Sequence, residues 1–417
     1  MTDSHYDALE TRSADAREAD LMARLRDQIA HAKANAPGHA RRLADVDPET
    51  VTDRAALARL PLLRKADLPD AQAARPPFAG LAAVKPGAGL RRIFASPGPI
   101  YDAEGEGPDY WRTARALWAT GIRKGDIVQN CFAYHFTPAG VMFDCGAEAI
   151  GAAVVPAGVG NTEQQARAIA DIRPRAYVGT PDFLKAILEK ADALGLPSGS
   201  LRLAHVSGGP LFPELKDFYA GRDIAVMQSY GTADIGLIAY ETAARDGLVL
   251  DEHIIVEIVR PGTGDPLPDG EVGEVVVTTF SRAYPLIRFA TGDLSAIAPG
   301  QSATGHTAPL LRGWMGRADQ TTKVKGMFVH PRQVAEIVSR HPGIARARLT
   351  VTAASGVDSM TLAVESDRAP DGAAEAIAAT LQSVTKLRGV VELVAPGSLP
   401  NDGKVIDDRR KDAGMSK

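Results

Sequence analysis

The sequence has 417 residues, 45% of them hydrophobic and 24% charged, with a formal net charge of -4; this is room for two or three domains and the composition of a soluble globular chain. The negative balance argues against broad binding to nucleic-acid phosphates, no apolar run approaches a membrane span, and the polar, acidic start MTDSHYDALE is unlike a signal peptide. Cys131 and Cys145 are the two cysteines and make no disulfide framework, so a reducing, cytoplasmic setting is expected.

Residues 14–36 read as a helix, with Leu21, Met22, Leu25 and Ile29 on one face and Pro37-Gly38 stopping it. Residues 60–63 are extended, Lys65-Ala66-Asp67-Leu68 begins a helical patch, and 74–91, rich in Pro, Gly and Ala, reads as a surface loop. From about residue 108 the two kinds of element alternate. Helices are expected at 110–118, 139–150, 163–172 and 183–194, and strands at 126–131, 153–155, 176–178, 201–206 and 224–227. This alternation predicts an α/β unit with a mostly parallel sheet covered on both faces.

The pattern then turns β-rich, with strands at 235–241, 254–259 and 274–280 and turns such as Pro268-Asp269-Gly270. A small antiparallel barrel or sheet is expected there, and 297–312 reads as loop. The last part runs β-α-β-β-α-β through 327–329, 332–339, 345–351, 360–365, 373–382 and 390–394, a ferredoxin-like order. The expected organisation is a large N-terminal domain over 1–318 and a small α+β domain over 319–417.

Several stretches carry residues suited to chemistry. Gln228-Ser229-Tyr230-Gly231-Thr232-Ala233-Asp234 follows a buried strand, where open α/β sheets bind ligands. Tyr230 offers a flat face, Gly231 a close backbone approach and Asp234 hard oxygens suited to Mg²⁺; an ordinary strand-to-loop turn is the plain alternative. Asp293, in Thr291-Gly292-Asp293, suits a ribose diol or simply an Asx turn. Gly316-Arg317-Ala318-Asp319 supplies a cation for ribose or phosphate and a hinge position, or is a solvated linker. Lys404, in Asn401-Asp402-Gly403-Lys404, could stabilise phosphate charge in a transition state or merely sit in solvent.

Tyr134-His135-Phe136 suits an apolar pocket for a flat acid, with His135 near the carboxylate; a core histidine competes with that reading. Cys131, His135 and Cys145 lack the fourth ligand and the paired spacing of a zinc site. Ser96-Pro97-Gly98-Pro99 is the one candidate phosphate loop, and Pro97 and Pro99 have no N–H to give. Neither a Gly-Lys-Ser/Thr phosphate loop nor a Gly-x-Gly-x-x-Gly fingerprint is present.

Taken together, Ser207-Gly208-Gly209-Pro210, Ser229-Tyr230-Gly231-Thr232-Ala233-Asp234, Tyr284-Pro285-Leu286-Ile287-Arg288-Phe289-Ala290-Thr291-Gly292-Asp293, Gly316-Arg317-Ala318-Asp319 and Gly403-Lys404 stand in a familiar order. The chain resembles the phenylacetate–CoA ligase branch of the adenylate-forming (acyl-CoA synthetase) superfamily from about residue 60 to 404. The resemblance implies ATP-dependent ligation of an aryl or arylacetic acid to coenzyme A through an acyl-adenylate. Transfer to a carrier-protein thiol or an amine, or a non-catalytic nucleotide-binding homologue, are its alternatives.

Carried over by position, the resemblance implies that Ser207, Gly208, Gly209 and Pro210 border the adenine and that Ser229, Tyr230, Gly231 and Thr232 flank the nucleotide. It puts Asp234 on Mg²⁺, Asp293 on the ribose with help from Arg317, Tyr134, His135 and Phe136 around the acid, and Asp319 at the hinge. Lys404 would contact the carboxylate and α-phosphate during adenylation. A homodimer is also implied. Two departures stand out: the Ser/Thr/Gly-rich phosphate loop of the family is missing, and Asp234 is one methylene shorter than the usual glutamate.

Overall fold

The computed structural model describes residues 5–318, 322–325, 327–329, 331–341, 343–354, 357–366, 372–400 and 405–410. It separates into two compact units, Met1–Met315 and Gly316–Lys417, dividing a few residues before the expected 318/319 boundary.

The first unit is built on a nine-stranded sheet. Ala153–Pro156, Ile127–Asn130, Ala176–Gly179, Leu203–Val206 and Ala225–Thr232 lie side by side and parallel. Helices Ala114–Thr120, Ala139–Ile150, Thr162–Ile172, Pro181–Ala193 and Pro213–Ala220 join or flank them. Side chains alternate between faces along a strand, and the cores follow that rule. Ala176 and Val178 pack with Leu117, Phe132 and Phe143, whereas the intervening Tyr177 packs with Ile169, Leu184 and Ile187. Both faces of the parallel sheet are therefore covered, as the alternation of elements predicts. The helix Pro213–Ala220 was not expected; its eight residues carry too few apolar positions to show a period.

A second sheet holds Leu63–Arg64, Phe289–Ser295, Gly273–Thr279 and Ile254–Val259 in that order. Gly273–Thr279 and Ile254–Val259 are two of the strands expected in the β-rich segment; the third, Gly236–Glu241, belongs instead to the nine-stranded sheet, and Phe289–Ser295 was not expected as a strand. The first strand comes from far upstream and pairs in parallel, Leu63 with Phe289 and Arg64 with Ala290. Helix Ala14–Asn35 lays Leu21, Leu25 and Ile29 against Ile255 and Ile287 of this region.

The second unit has a four-stranded sheet ordered Val390–Val394, Val357–Ser366, Ile344–Ala354 and Ile406–Asp408, with helices Pro331–Arg340 and Ala373–Thr385. The expected ferredoxin-like order needs correction. Met327–Val329 pairs with Thr322–Val324 in a ribbon of its own, and the place beside Ile344–Ala354 is taken by Ile406–Asp408, from what reads as a polar tail. Ile406 supplies the reason: it is buried with Leu349, Val351 and Leu362, and one anchoring apolar residue among charges leaves no periodic signal. Among the described residues no helix is long and apolar enough to cross a membrane.

Candidate active site

The carboxyl ends of two neighbouring parallel strands form the base of the site. Leu203–Val206 runs into the 207–210 turn, where Gly208 has φ +71°, a conformation glycine adopts without strain. The Ser207 hydroxyl donates to the carbonyl of Ser229 at 2.8 Å, and Gly208, Gly209 and Pro210 are exposed. Beneath them His205 is fully buried, its Nδ1 2.8 Å from Thr120 Oγ1 and its Nε2 2.8 Å from Ser229 Oγ. Burial pushes this imidazole down to about 3, so it is neutral at physiological pH.

Ala225–Thr232 does not stop where the motif begins. It continues to Thr232 and folds back against Gly236–Glu241, with the register slipping between Tyr230 and Gly231. Gly231 is required there because a Cβ would lie 2.5 Å from the carbonyl oxygen of Gly236. Thr232 Oγ1 accepts from the amide of Ile235 at 3.3 Å and closes the turn.

Tyr230 is buried, and its hydroxyl donates to Asp293 Oδ2 at 2.9 Å. Trp314 Nε1 donates to Asp293 Oδ1 at 3.1 Å. Asp293 therefore sits inside the strand Phe289–Ser295, not in a turn after it, and its carboxylate is held from both sides. A carboxylate accepts through both of its oxygens, which is the chemistry that ribose hydroxyls need. Trp314 carries no local signal of this role; it lies between the loop-like 297–312 and the 316–319 motif, and only the fold brings it to Asp293.

Asp234 lies in the hairpin turn, with a fully buried side chain. Its Oδ2 accepts from the Lys65 ammonium at 2.5 Å, and its Oδ1 has no partner. Lys65 opens the 3₁₀ turn Lys65–Asp67, directly after the strand that pairs with Phe289–Ser295. Burial works against its charge, but Asp234, Asp102 and Asp293 outweigh it and raise its pKa. Asp102, also buried, is pushed well above the carboxylate range by desolvation and then by the charge of Asp234. Lys65 and Asp102 were missed in sequence because their partner stands more than 100 positions away and neither lies in a motif.

The candidate phosphate loop is the tip of a hairpin joining Arg92–Ser96 to Ile100–Glu104, paired from Ser96↔Ile100 to Arg92↔Glu104. Its glycine has Ile100 against it, and a Cβ on Gly98 would stand 2.9 Å from that side chain. Ser96 is buried, its hydroxyl 3.4 Å from the Ile100 carbonyl and 3.4 Å from Asp102 Oδ2. The tip thus turns its one hydroxyl inward, and two of its four residues are prolines. The carboxylates here do not fit a Mg²⁺ ion. One oxygen of Asp234 is committed to an ammonium, whose positive charge stands where the ion would have to come.

In the aromatic segment after Ile127–Asn130, Tyr134 is half-buried and donates to Asp144 Oδ1 at 2.6 Å, an oxygen that Asn130 Nδ2 also reaches at 2.8 Å. His135 and Phe136 are exposed, Phe136 by 81%. The buried rings are instead Phe132 and Phe143, stacked 4.9 Å apart, with Phe132 under Gly208. Cys131 and Cys145 are free, buried thiols, raised by burial to about 12 and about 11. Cys131 Sγ lies 3.5 Å from Gln165 Oε1. Arg317 is half-buried in the second unit; Asp319 and Lys404 lie outside the described residues.

Residues 119–281 match the model of the AMP-binding enzyme family. The chain is 31% identical over 376 residues to the phenylacetate-coenzyme A ligase of Aromatoleum evansii, covering 86% of this chain and 83% of that protein. The phenylacetate-coenzyme A ligase of Escherichia coli K12 is 30% identical over 384 residues, covering 88% and 86%. A solved structure of 2-hydroxyisobutyryl-CoA ligase, in complex with 2-HIB-AMP and CoA, superposes with a TM-score of 0.78 at 25% identity over 97% of this chain and 92% of that one. The sequence identity extends beyond the AMP-binding region through most of both chains, and the chain belongs to the phenylacetate–coenzyme A ligase family of AMP-forming acid–thiol ligases.

Proposed function

We propose that this chain joins an aromatic carboxylic acid, aryl or arylacetic, to coenzyme A with ATP. In the first half-reaction a carboxylate oxygen attacks the α-phosphorus and pyrophosphate leaves. In the second the CoA thiol, giving up its proton, attacks the acyl carbon and AMP leaves. The observation that carries this reading is the Asp293 carboxylate, fixed by Tyr230 and Trp314 in a site whose 207–210 turn is open. A preset anion at this place suits ribose hydroxyls, and holding two reactants in line supplies much of such a rate.

In this reading 207–210 borders the adenine, Ser229 to Thr232 carry the nucleotide wall, and Arg317 assists at the ribose. Lys404 supplies positive charge to the carboxylate and α-phosphate, and Asp319 is the point about which the second unit turns between half-reactions. Tyr134, with Asp144 behind it, and the stacked Phe132 and Phe143 offer aromatic surface to the acid. The phenylacetate named for the relatives is the first acid to try.

The test is pyrophosphate release from ATP with benzoic, phenylacetic and fatty acids, each with and without CoA. Turnover that needs both an aromatic acid and CoA is expected. A single burst unchanged by CoA would assign another acyl acceptor, and release with fatty acids alone would overturn the aromatic preference.

A further inference from the structure

The Lys65–Asp234 pair is the feature that the family reading does not absorb. Asp234 has a side chain with no exposure, whereas 19% of the Lys65 side chain is exposed. The lysine is thus the more accessible partner of the pair. Asp102 stands in the same field, buried, with Oδ1 unpartnered. A lysine ammonium has three N–H donors; one is spent on Asp234 and the others are left for an incoming anion. Position adds to this: Arg64 pairs with Ala290, so Lys65 enters beside Thr291-Gly292-Asp293, where the ribose carboxylate stands.

A divalent ion seeking Asp234 would have to evict that ammonium or share one buried carboxylate with it. Like charges at such separation repel strongly where the dielectric is low. A phosphate meets the opposite situation. The hairpin tip offers few N–H groups and its serine hydroxyl faces inward, whereas Lys65 brings a positive charge on a partly exposed side chain.

We propose that Lys65 is the fixed cation of the nucleotide site, set in place by Asp234, and that its ammonium meets the phosphate of bound nucleotide or acyl-adenylate at the carboxylate where a metal ion would otherwise bind. Asp234 is then a positioning residue for Lys65 and not a metal ligand. The proposal rests on the ligase reading for the presence of a nucleotide, and its chemistry is that of a compact, strongly hydrated point charge. A buried carboxylate partner keeps that charge present and aimed without reorganisation when the phosphate arrives.

The test uses the full chain and two probes. AMP binding is titrated by calorimetry in EDTA, and Mn²⁺ binding to the protein–ATP complex is followed by electron paramagnetic resonance. Lys65→Met is expected to weaken AMP binding roughly ten- to a hundred-fold, and Lys65→Arg to recover most of it. Asp234→Asn should weaken AMP binding and leave the Mn²⁺ affinity as in wild type.

Because removing one partner of a buried pair can unfold a protein, the neutral double variant Lys65→Met with Asp234→Asn is measured beside the single ones. Wild-type AMP affinity in that folded double variant overturns the proposal. So does a loss of Mn²⁺ affinity in Asp234→Asn of roughly tenfold or more. Either failure with AMP still bound by the wild type leaves the ligase reading standing; a wild type that binds neither AMP nor ATP overturns both.

Discussion

The hydroxyl of Tyr230 donates to Oδ2 of Asp293 at 2.9 Å, joining the last turns of the large parallel sheet to a strand of the second sheet. Tyr230→Phe keeps the ring and removes this donor, while Trp314 still holds Oδ1. A hydrogen bond to a charged acceptor contributes about 1.5–3 kcal/mol, part of which the ribose replaces. The AMP dissociation constant and the KM for ATP should rise roughly tenfold, with kcat changed less. Asp293→Asn should cost more, since it weakens the acceptor itself. An unchanged KM in Tyr230→Phe would show that the bond does not set the ribose site.

Gly231 tests the hairpin that carries the motif. An alanine Cβ would lie 2.5 Å from Gly236 O and 3.2 Å from Gly236 C, both backbone atoms that no rotamer can move. The strands must part or the bulge must open, and overpacking of that kind costs about 1–3 kcal/mol. Urea unfolding of Gly231→Ala should show that loss, together with weaker AMP binding because Tyr230 is displaced. Stability equal to wild type would mean that the turn is softer than its geometry indicates.

Where the sequence is read by period, structure and expectation agree. The helix Ala139–Ile150 and the strand Ile254–Val259 fall where predicted, because each has its own apolar rhythm. The motif stretches were found for the same local reason, a glycine and a carboxylate close to a strand. What escaped is made of pairs across the fold. Lys65 meets Asp234, Trp314 meets Asp293 and His205 bridges Thr120 to Ser229, and none of these partners lies within 15 residues of the other. The hairpin at 92–104 escaped because Ser96-Pro97-Gly98-Pro99 reads only as a candidate phosphate loop, whereas it forms the tip and leaves the strands on either side paired.

His205 gives a pH dependence with a definite sign. In the folded protein its pKa is lowered by burial to about 3, against 6.5 for the free side chain. Between those values the unfolded chain binds a proton that the folded chain does not. Stability is therefore complete above pH 6.5 and falls as pH drops toward 3, by about 1.4 kcal/mol per unit. Urea unfolding at pH 7.5 and 5.0 should show wild type losing about 2 kcal/mol more than His205→Gln. Parallel losses in both proteins would show that another group dominates the acid side.

Lys404 separates the two half-reactions. If its ammonium neutralises charge on the carboxylate and α-phosphate, its removal should affect the step in which pyrophosphate leaves, where negative charge is redistributed about phosphorus. Loss of one such charge-stabilising group typically costs ~10²–10³ in rate. Lys404→Ala should therefore slow acyl-adenylate formation by roughly that factor, read as pyrophosphate release in a single turnover. Thioester formation from preformed acyl-adenylate and CoA needs no new charge on phosphorus beyond the departing AMP, and should be far less affected. The contrast with Lys65 is the useful part. Lys65 belongs to the first unit and is fixed by Asp234, so its loss should weaken nucleotide binding in both half-reactions, whereas loss of Lys404 should leave AMP binding nearly intact. Equal slowing of both steps by Lys404→Ala would remove it from adenylation and leave Lys65 as the cation that serves the phosphate throughout.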